Sequence, residues 1–306
     1  MLMLLPLQLT VLVTGLLPGK TGKTTVALGL MAGLKERGVK VGFLKPVAFF
    51  DYYEDYLAVE ASIDEGLLVP PEVLSLREIE GEIEDPCLVN PVSVLTAPLK
   101  PETFIEARAP TSFFSYSANM FRRVAVMRVS LLAPVKAYIS YINEWALSRN
   151  LLEIDRETLK KITRRTDQAV GVPTLAELTE TYERVAMRAV ESVLSVVSGR
   201  QRVLVVESFG TAAWPLPPAA NAGLVLSVVP GTVLVYRGDR YKMAVALKAS
   251  DSLRYLRRLT TADVFTLLTP FKIVKTPPLS PYEPVESKAE KLSELVDIVI
   301  ETLERG

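Results

Sequence analysis

The sequence predicts an α/β protein with a doubly wound, mainly parallel sheet, and three stretches carry that expectation. In each, a run of β-branched and leucine residues ends at a glycine-bearing turn and leads into a helix or a further strand. The first run, Leu9 to Gly15, passes through a glycine-rich turn into "KTTVALGLMAGLKERG". Val26, Leu30 and Leu34 share one face of that helix, and Gly38 is its natural stop. A second buried strand then runs from about Val39 to Leu44. Strand, helix and strand joined this closely predict a right-handed parallel unit.

The second stretch starts at "VPTLAELTETYERVAMRAVESVLSVVSGRQ". Thr174 and Glu177 have the spacing of a capping box, and Gly199 closes the helix before the strand "RVLVVESFG". The third, "AGLVLSVVPGTVLVY", has the β-branched density of a central parallel strand. Near the end, "TTADVFTLL" reads as a short helix and "FKIVKTPPL" as a strand entering a proline-rich loop. A closing helix is expected from Ser287 to Arg305.

Between these stretches the rhythm breaks. In residues 105–170, "RRVAVMRVS" and "KAYISYINEWAL" alternate as a β-hairpin with Pro134 near its turn, and "DRETLKKITRRTD" reads as a polar helix. The block is expected to be an insertion or lid within one domain spanning 1–306.

The composition narrows the chemistry. There is no histidine and one cysteine, Cys87, which excludes Ser-His-Asp and Cys-His nucleophiles, histidine-ligated zinc and thiolate clusters within one chain. Carboxylates, lysines, arginines, hydroxyls, backbone N–H groups and a hard cation remain, a set that suits phosphoryl transfer. Thirty-five basic residues balance thirty-five acidic ones, so the footprint of a nucleic-acid binder is missing and no nucleic-acid partner is expected. A lone cysteine points to a reducing, cytoplasmic setting. The apolar start, Met1 to Pro6, lacks a basic flank and is cut by Pro6, so it reads as neither a signal peptide nor a membrane span.

"GLLPGKTGKTT", Gly15 to Thr25, is the stretch richest in chemistry. The strict phosphate-loop pattern wants a glycine five residues before Gly22, where Leu17 stands. The physical requirements still hold: a strand delivers the turn, Gly19 and Gly22 permit close backbone approach, and a helix starts at Lys23 with its N–H groups facing an anion. Thr21, Gly22, Lys23, Thr24 and Thr25 would then cradle phosphates. Lys23 would neutralise their charge, and the Thr24 hydroxyl would ligate Mg²⁺. Lys20 reads equally as a phosphate contact or a solvated turn residue.

Glu207 ends an apolar strand at the edge where open α/β sheets bind ligands, the place of a Mg²⁺-holding acid. Lys45 ends the second strand on the same edge and could meet a phosphate or a substrate anion. Asp51 and Asp55 are candidates for a further Mg²⁺ ligand or for helix N-terminal carboxylates. Arg164 and Arg165 lie on a charged stretch that could close as a lid or simply be solvated.

Set together, "TGLLPGKTGKTTVALGLMAGLKERGVKVGFLKPVA" resembles the opening of dethiobiotin synthetases and cobyrinic acid a,c-diamide synthases, and "NPVSVLTAPLKPETF" resembles an Asn-Pro…Ala-Pro-Leu-x-Pro stretch of the former. "VLVVESFG" falls where their acidic strand end lies, and "KTPPLS" where their late nucleotide-base loop lies. The resemblance covers about two-thirds of the chain and extends to archaeal P-loop ATPases with a "GLLP…GKTT" loop. It implies a P-loop NTPase fold that binds ATP and Mg²⁺ through Lys23, Thr24 and Glu207. It also implies that Lys45 lies near the γ-phosphate, that Pro277, Pro278 and Leu279 lie at the base, and that the chain pairs as a homodimer. Leu16, Leu17, Pro18, Ser208 and Phe209 depart from the dethiobiotin enzymes, so the fold and nucleotide carry over and the substrate does not.

The reading is therefore ATP- and Mg²⁺-dependent phosphoryl transfer to a carboxylate-like small molecule, or ATP hydrolysis. The absence of Asn-Lys-x-Asp argues against guanine. One rival is a kinase with a hydroxyl acceptor and Asp51 or Asp55 as base; the other is a nucleotide-dependent switch acting through partner binding.

Overall fold

The computed structural model describes residues 8–19, 21–81, 83, 85–213, 221–249, 259–280 and 282–305. The chain divides into two compact α/β units. The first comprises Met1–Pro46, Ser75–Ile83 and Val197–Gly306, and the second Val47–Leu74 and Glu84–Val196. Each has its own mixed sheet. The expectation of one sheet interrupted by an insertion at 105–170 is corrected accordingly. The hairpin forms as expected, but it joins a separate sheet with residues 47–51, 92–96 and 168–172.

In chain order the strands are β1 (Leu9–Gly15), β2 (Val41–Leu44), β3 (Val47–Asp51), β4 (Val92–Thr96), β5 (Val124–Leu131), β6 (Ala137–Asn143), β7 (Gln168–Val172), β8 (Val203–Glu207), β9 (Leu224–Val229), β10 (Thr232–Arg237) and β11 (Lys272–Lys275). The helices are α1 (Lys23–Glu36), α2 (Tyr56–Glu65), α3 (Pro71–Glu80), α4 (Pro101–Glu106), α5 (Pro110–Ser117), α6 (Met120–Arg123) and α7 (Glu144–Leu147). They continue with α8 (Arg156–Ile162), α9 (Leu175–Val197), α10 (Gly238–Ala249), α11 (Thr261–Phe265), α12 (Val285–Lys291) and α13 (Ser293–Arg305).

The first unit's sheet has the order β11-β10-β9-β1-β8-β2. β9, β1, β8 and β2 are parallel, and β1 lies between β8 and β9 with Val13 opposite Glu207 and Leu226. β1 and β2 do form a parallel unit, but β8 sits between them. The stretch expected as one central strand folds back at Pro230 and Gly231 into the antiparallel pair β9–β10. A Pro-Gly dipeptide is a turn signal strong enough to divide an apolar run.

Helix α1 is buried continuously from Val26 to Leu34 rather than on one face. Its second side is taken by α12 and α13: a Cβ built at Gly29 would lie 2.7 Å from a Leu292 methyl, and one at Gly33 2.6 Å from a Val296 methyl. The closing helix is broken at Leu292 into α12 and α13, and that leucine is fully buried at the break.

The second unit's sheet has the order β3-β4-β5-β6-β7. Only the β4–β5 and β5–β6 pairs are antiparallel. Arg128, on β5, is fully buried, and every guanidinium N–H has an acceptor. Nε donates to the Leu68 carbonyl at 3.2 Å, Nη1 to Cys87 Sγ at 3.1 Å and to the Ser130 hydroxyl, and Nη2 to the Asn90 carbonyl and Oδ1 at 3.0 Å each. A permanent cation is thus held by neutral acceptors, which is how a buried charge without a carboxylate is tolerated. Burial pushes the Cys87 thiol above its usual pKa, so it sits there as a protonated thiol. At α9, Thr174 Oγ1 accepts from the Glu177 N–H at 3.2 Å, as the capping spacing predicts.

Among the described residues, no helix is long and apolar enough to cross a membrane. Met1 to Pro6 lie outside the described residues.

Candidate functional site

β1 ends at Gly15, and α1 begins at Lys23 with Gly22 as its N-cap. Gly22 has φ 87° and Gly19 φ 90°, left-handed values that favour glycine, so both are needed where the loop turns back into the helix. A glycine N-cap has no side chain to offer the first N–H groups, and the first turn holds no acidic residue. The N-terminus of this 14-residue helix therefore has no side-chain cap, and its positive dipole end meets no carboxylate of its own first turn.

Gly15 is required for a different reason. A Cβ there would lie 3.0 Å from Lys23 Nζ, from Thr21 Oγ1 and from the Gly210 carbonyl. The lysine of the first helical turn therefore curls back over the end of β1, into a cradle with the Thr21 hydroxyl and the turn that follows β8.

Beside this cradle the ends of β8 and β2 meet. Glu207 is 1% exposed and Lys45 3% exposed, with Lys45 Nζ 2.8 Å from Glu207 Oε1. The same carboxylate oxygen accepts from the Thr24 hydroxyl at 3.0 Å, and Lys45 also donates to the Ser208 carbonyl at 3.2 Å. Strands β1, β8 and β2 are parallel, so Gly15, Glu207 and Lys45 share the carboxyl edge of the sheet, where α/β folds bind ligands. Lys23, Lys45, Thr24 and Glu207, read from sequence as one site, are brought together in one unit.

The sequence reading placed Thr21 in the phosphate loop but missed Ser208 and the Thr14–Ser227 pair. The Thr21 and Ser208 hydroxyls are buried, and neither has a hydrogen-bond partner among the described residues. Thr14, one residue before the cradle, shares a 3.0 Å hydrogen bond with the Ser227 hydroxyl across β1 and β9. Burial raises the pKa of the neighbouring Tyr241 phenol well beyond the ordinary tyrosine value, so it stays a neutral hydroxyl beside Thr14 and Thr261. Ser208 was legible as a polar residue after an apolar strand; the Thr14–Ser227 pair had no local signal.

The other candidates fall elsewhere. Lys20 lies outside the described residues. Pro277, Pro278 and Leu279 follow β11, which runs parallel to β9 through two antiparallel pairings and so ends at the same sheet edge as β1. Three strand spacings of ~4.8 Å put β11 about 14 Å from β1.

Asp51 lies in the second unit. Its Oδ2 accepts from Arg123 Nη2 at 2.5 Å and from the Thr96 hydroxyl at 2.9 Å, and its Oδ1 accepts from the Tyr53 N–H at 3.0 Å. Asp55 occupies the N-cap position of α2 but makes no cap bond from its side chain, which instead accepts from the Asp51 N–H at 2.8 Å. Arg164 and Arg165 lie in the second unit. Arg164 donates to the Asp64 carbonyl and Arg165 to the Glu65 carbonyl at 3.4 Å, covering the last turn of α2.

Comparison of the chain with protein-family models, with curated proteins and with solved structures returned no match.

Proposed function

We propose that the chain is an ATP- and Mg²⁺-dependent enzyme on a doubly wound P-loop scaffold, transferring the γ-phosphoryl group to a carboxylate-like small molecule or to water. The observation that carries this reading is the buried Lys45–Glu207 pair, joined by the half-buried Thr24 hydroxyl, beside a long helix N-terminus that has no side-chain cap. A ligandless structural role would not need a buried ion pair, a curled lysine and unpartnered Thr21 and Ser208 hydroxyls at one sheet edge.

The donor set fits the implied groups. A threonine hydroxyl and a carboxylate 3.0 Å apart are oxygen ligands of the kind a hard cation takes, so Thr24 and Glu207 would hold Mg²⁺. Bound there, the ion would neutralise phosphate charge. The α1 N–H groups and Lys23 bind and orient the phosphates, and the Lys45 ammonium, held in place by Glu207, stabilises charge at the transferred group. An acceptor carboxylate is already an oxyanion: its oxygen bonds to phosphorus as the bond to the ADP oxygen breaks, and no base is needed. This agrees with a chain that has no histidine. It also agrees with Asp51 and Asp55, the bases a hydroxyl acceptor would require, each being engaged by neighbours in the second unit. The loop after β11, about 14 Å from β1 by strand count, suits contact with the adenine end.

The test is ATP turnover against a panel of carboxylates, amines and sugars, with products read by mass spectrometry. An acyl-phosphate, or a product derived from one, supports the reading. Phosphorylation of a hydroxyl alone would replace it with the kinase rival.

A further inference from the structure

The second unit carries a feature the nucleotide reading does not use. A groove of about 570 Å³ lies between one face of α2 and the Tyr52–Tyr53 turn that precedes it. Tyr56, Val59, Glu60, Ile63 and Asp64 recur at the spacing of one helical face, so the groove runs along the helix. Three tyrosine rings wall it, with Tyr53 60% and Tyr56 61% exposed, and Val59 and Ile63 form an apolar floor. Its charged residues are both carboxylates, Glu60 and Asp64; among the described residues no lysine or arginine lines it.

We propose that this groove binds a small organic dication, an α,ω-diamine whose two ammonium groups are separated by a short methylene chain. Glu60 and Asp64 are four residues apart, about 6 Å along the helix axis at 1.5 Å per residue. That matches the reach of a diamine with about four methylenes, one ammonium per carboxylate, its chain lying on Val59 and Ile63. Tyrosine faces add attraction for a cation and for the methylenes beside it. The Glu60 carboxylate beside Tyr56 holds the phenol above its usual pKa. Asp64 stands in the last turn of α2, which holds no basic residue of its own. The arginines nearest that end, Arg164 and Arg165, donate to the backbone carbonyls of Asp64 and Glu65 rather than lining the groove. A monoamine satisfies one carboxylate, and an anion satisfies none.

The groove lies wholly within the second unit, so this assignment stands apart from the ATP reading. The probe is 1,4-diaminobutane, titrated calorimetrically at low ionic strength into the full chain, with 1-aminobutane for comparison. The diamine should bind saturably at one site, and the monoamine about tenfold more weakly, a difference of ~1.4 kcal/mol. Glu60→Gln and Asp64→Asn should each cost about tenfold, and Tyr53→Ala several-fold, while the circular dichroism of these exposed-site variants stays unchanged. Absence of saturable binding to the wild type overturns the proposal. So does equal affinity in the Glu60→Gln/Asp64→Asn double variant, which would mean only diffuse charge attraction.

Discussion

Replacing Lys45 with methionine removes the ammonium from a pair that is almost wholly buried, 3% exposed on one side and 1% on the other. At an effective dielectric of ~20, unit charges 2.8 Å apart attract by about 6 kcal/mol. Much of that attraction offsets the cost of taking both groups out of water. The single variant keeps the buried carboxylate and loses its counter-charge, so it should destabilise the first unit by about 3–5 kcal/mol. Removing both charges, as Lys45→Met with Glu207→Leu, should return the unit to within about 1–2 kcal/mol of the wild type, the Thr24 hydroxyl losing its acceptor. Urea-dependent hydrogen exchange of the β2 and β8 amides reads this unit apart from the other. A single variant costing under ~1 kcal/mol, or a double variant as unstable as the single one, would refute the buried-pair argument.

The second unit should respond in a similar way to Arg128→Met, which strands five buried acceptors. A loss of roughly 4 kcal/mol is expected in the exchange of β5 and β6 amides, and a loss under ~1 kcal/mol would contradict the assigned bonds. Gly22→Ala and Gly38→Ala both place a Cβ in open space at positive φ, so each should cost about 1–2 kcal/mol of stability. Only Gly22→Ala should also weaken ATP binding, and equal affinities for the two would detach the loop from the nucleotide. The Lys291 ammonium 2.5 Å from Glu283, aided by the Ser287 hydroxyl, lowers that carboxyl pKa to about 2. Its stabilising effect is therefore complete above the ordinary glutamate range and fades as the pH falls toward 2. Glu283→Gln should lose stability at neutral pH and none at the acid end, and a difference that persists at pH 2 would reverse the sign.

How much of this was legible follows from the range of the interactions involved. The β1–loop–α1 segment was readable because strand, turn glycines and helix start are consecutive, and their boundaries agree with the structure. Glu207 and Lys45 were readable as strand-end residues, but their 2.8 Å contact was not, because it joins positions 162 residues apart. The second sheet was missed because β3 and β4 lie outside the hairpin block, and their pairing with it is set by tertiary contacts. Arg128 left one visible trace, a charge inside "VAVMRVSL", the pattern of a buried residue that must find partners elsewhere. The β9–β10 hairpin was misread through β-branched density, although Pro230-Gly231 was present in the sequence. The break at Leu292 carries no proline or glycine, and it follows packing against α1.

The claim on which the rest depends is that the loop from Gly15 to Thr25 holds the phosphates of ATP. Calorimetric titration of ATP with Mg²⁺ into the wild-type chain and into Lys23→Ala tests it most directly, with circular dichroism to confirm that both are folded. The proposal predicts saturable one-site binding in the wild type and at least a hundredfold loss, about 2.7 kcal/mol, in the variant. Equal micromolar affinity in both proteins would contradict the assignment of the loop.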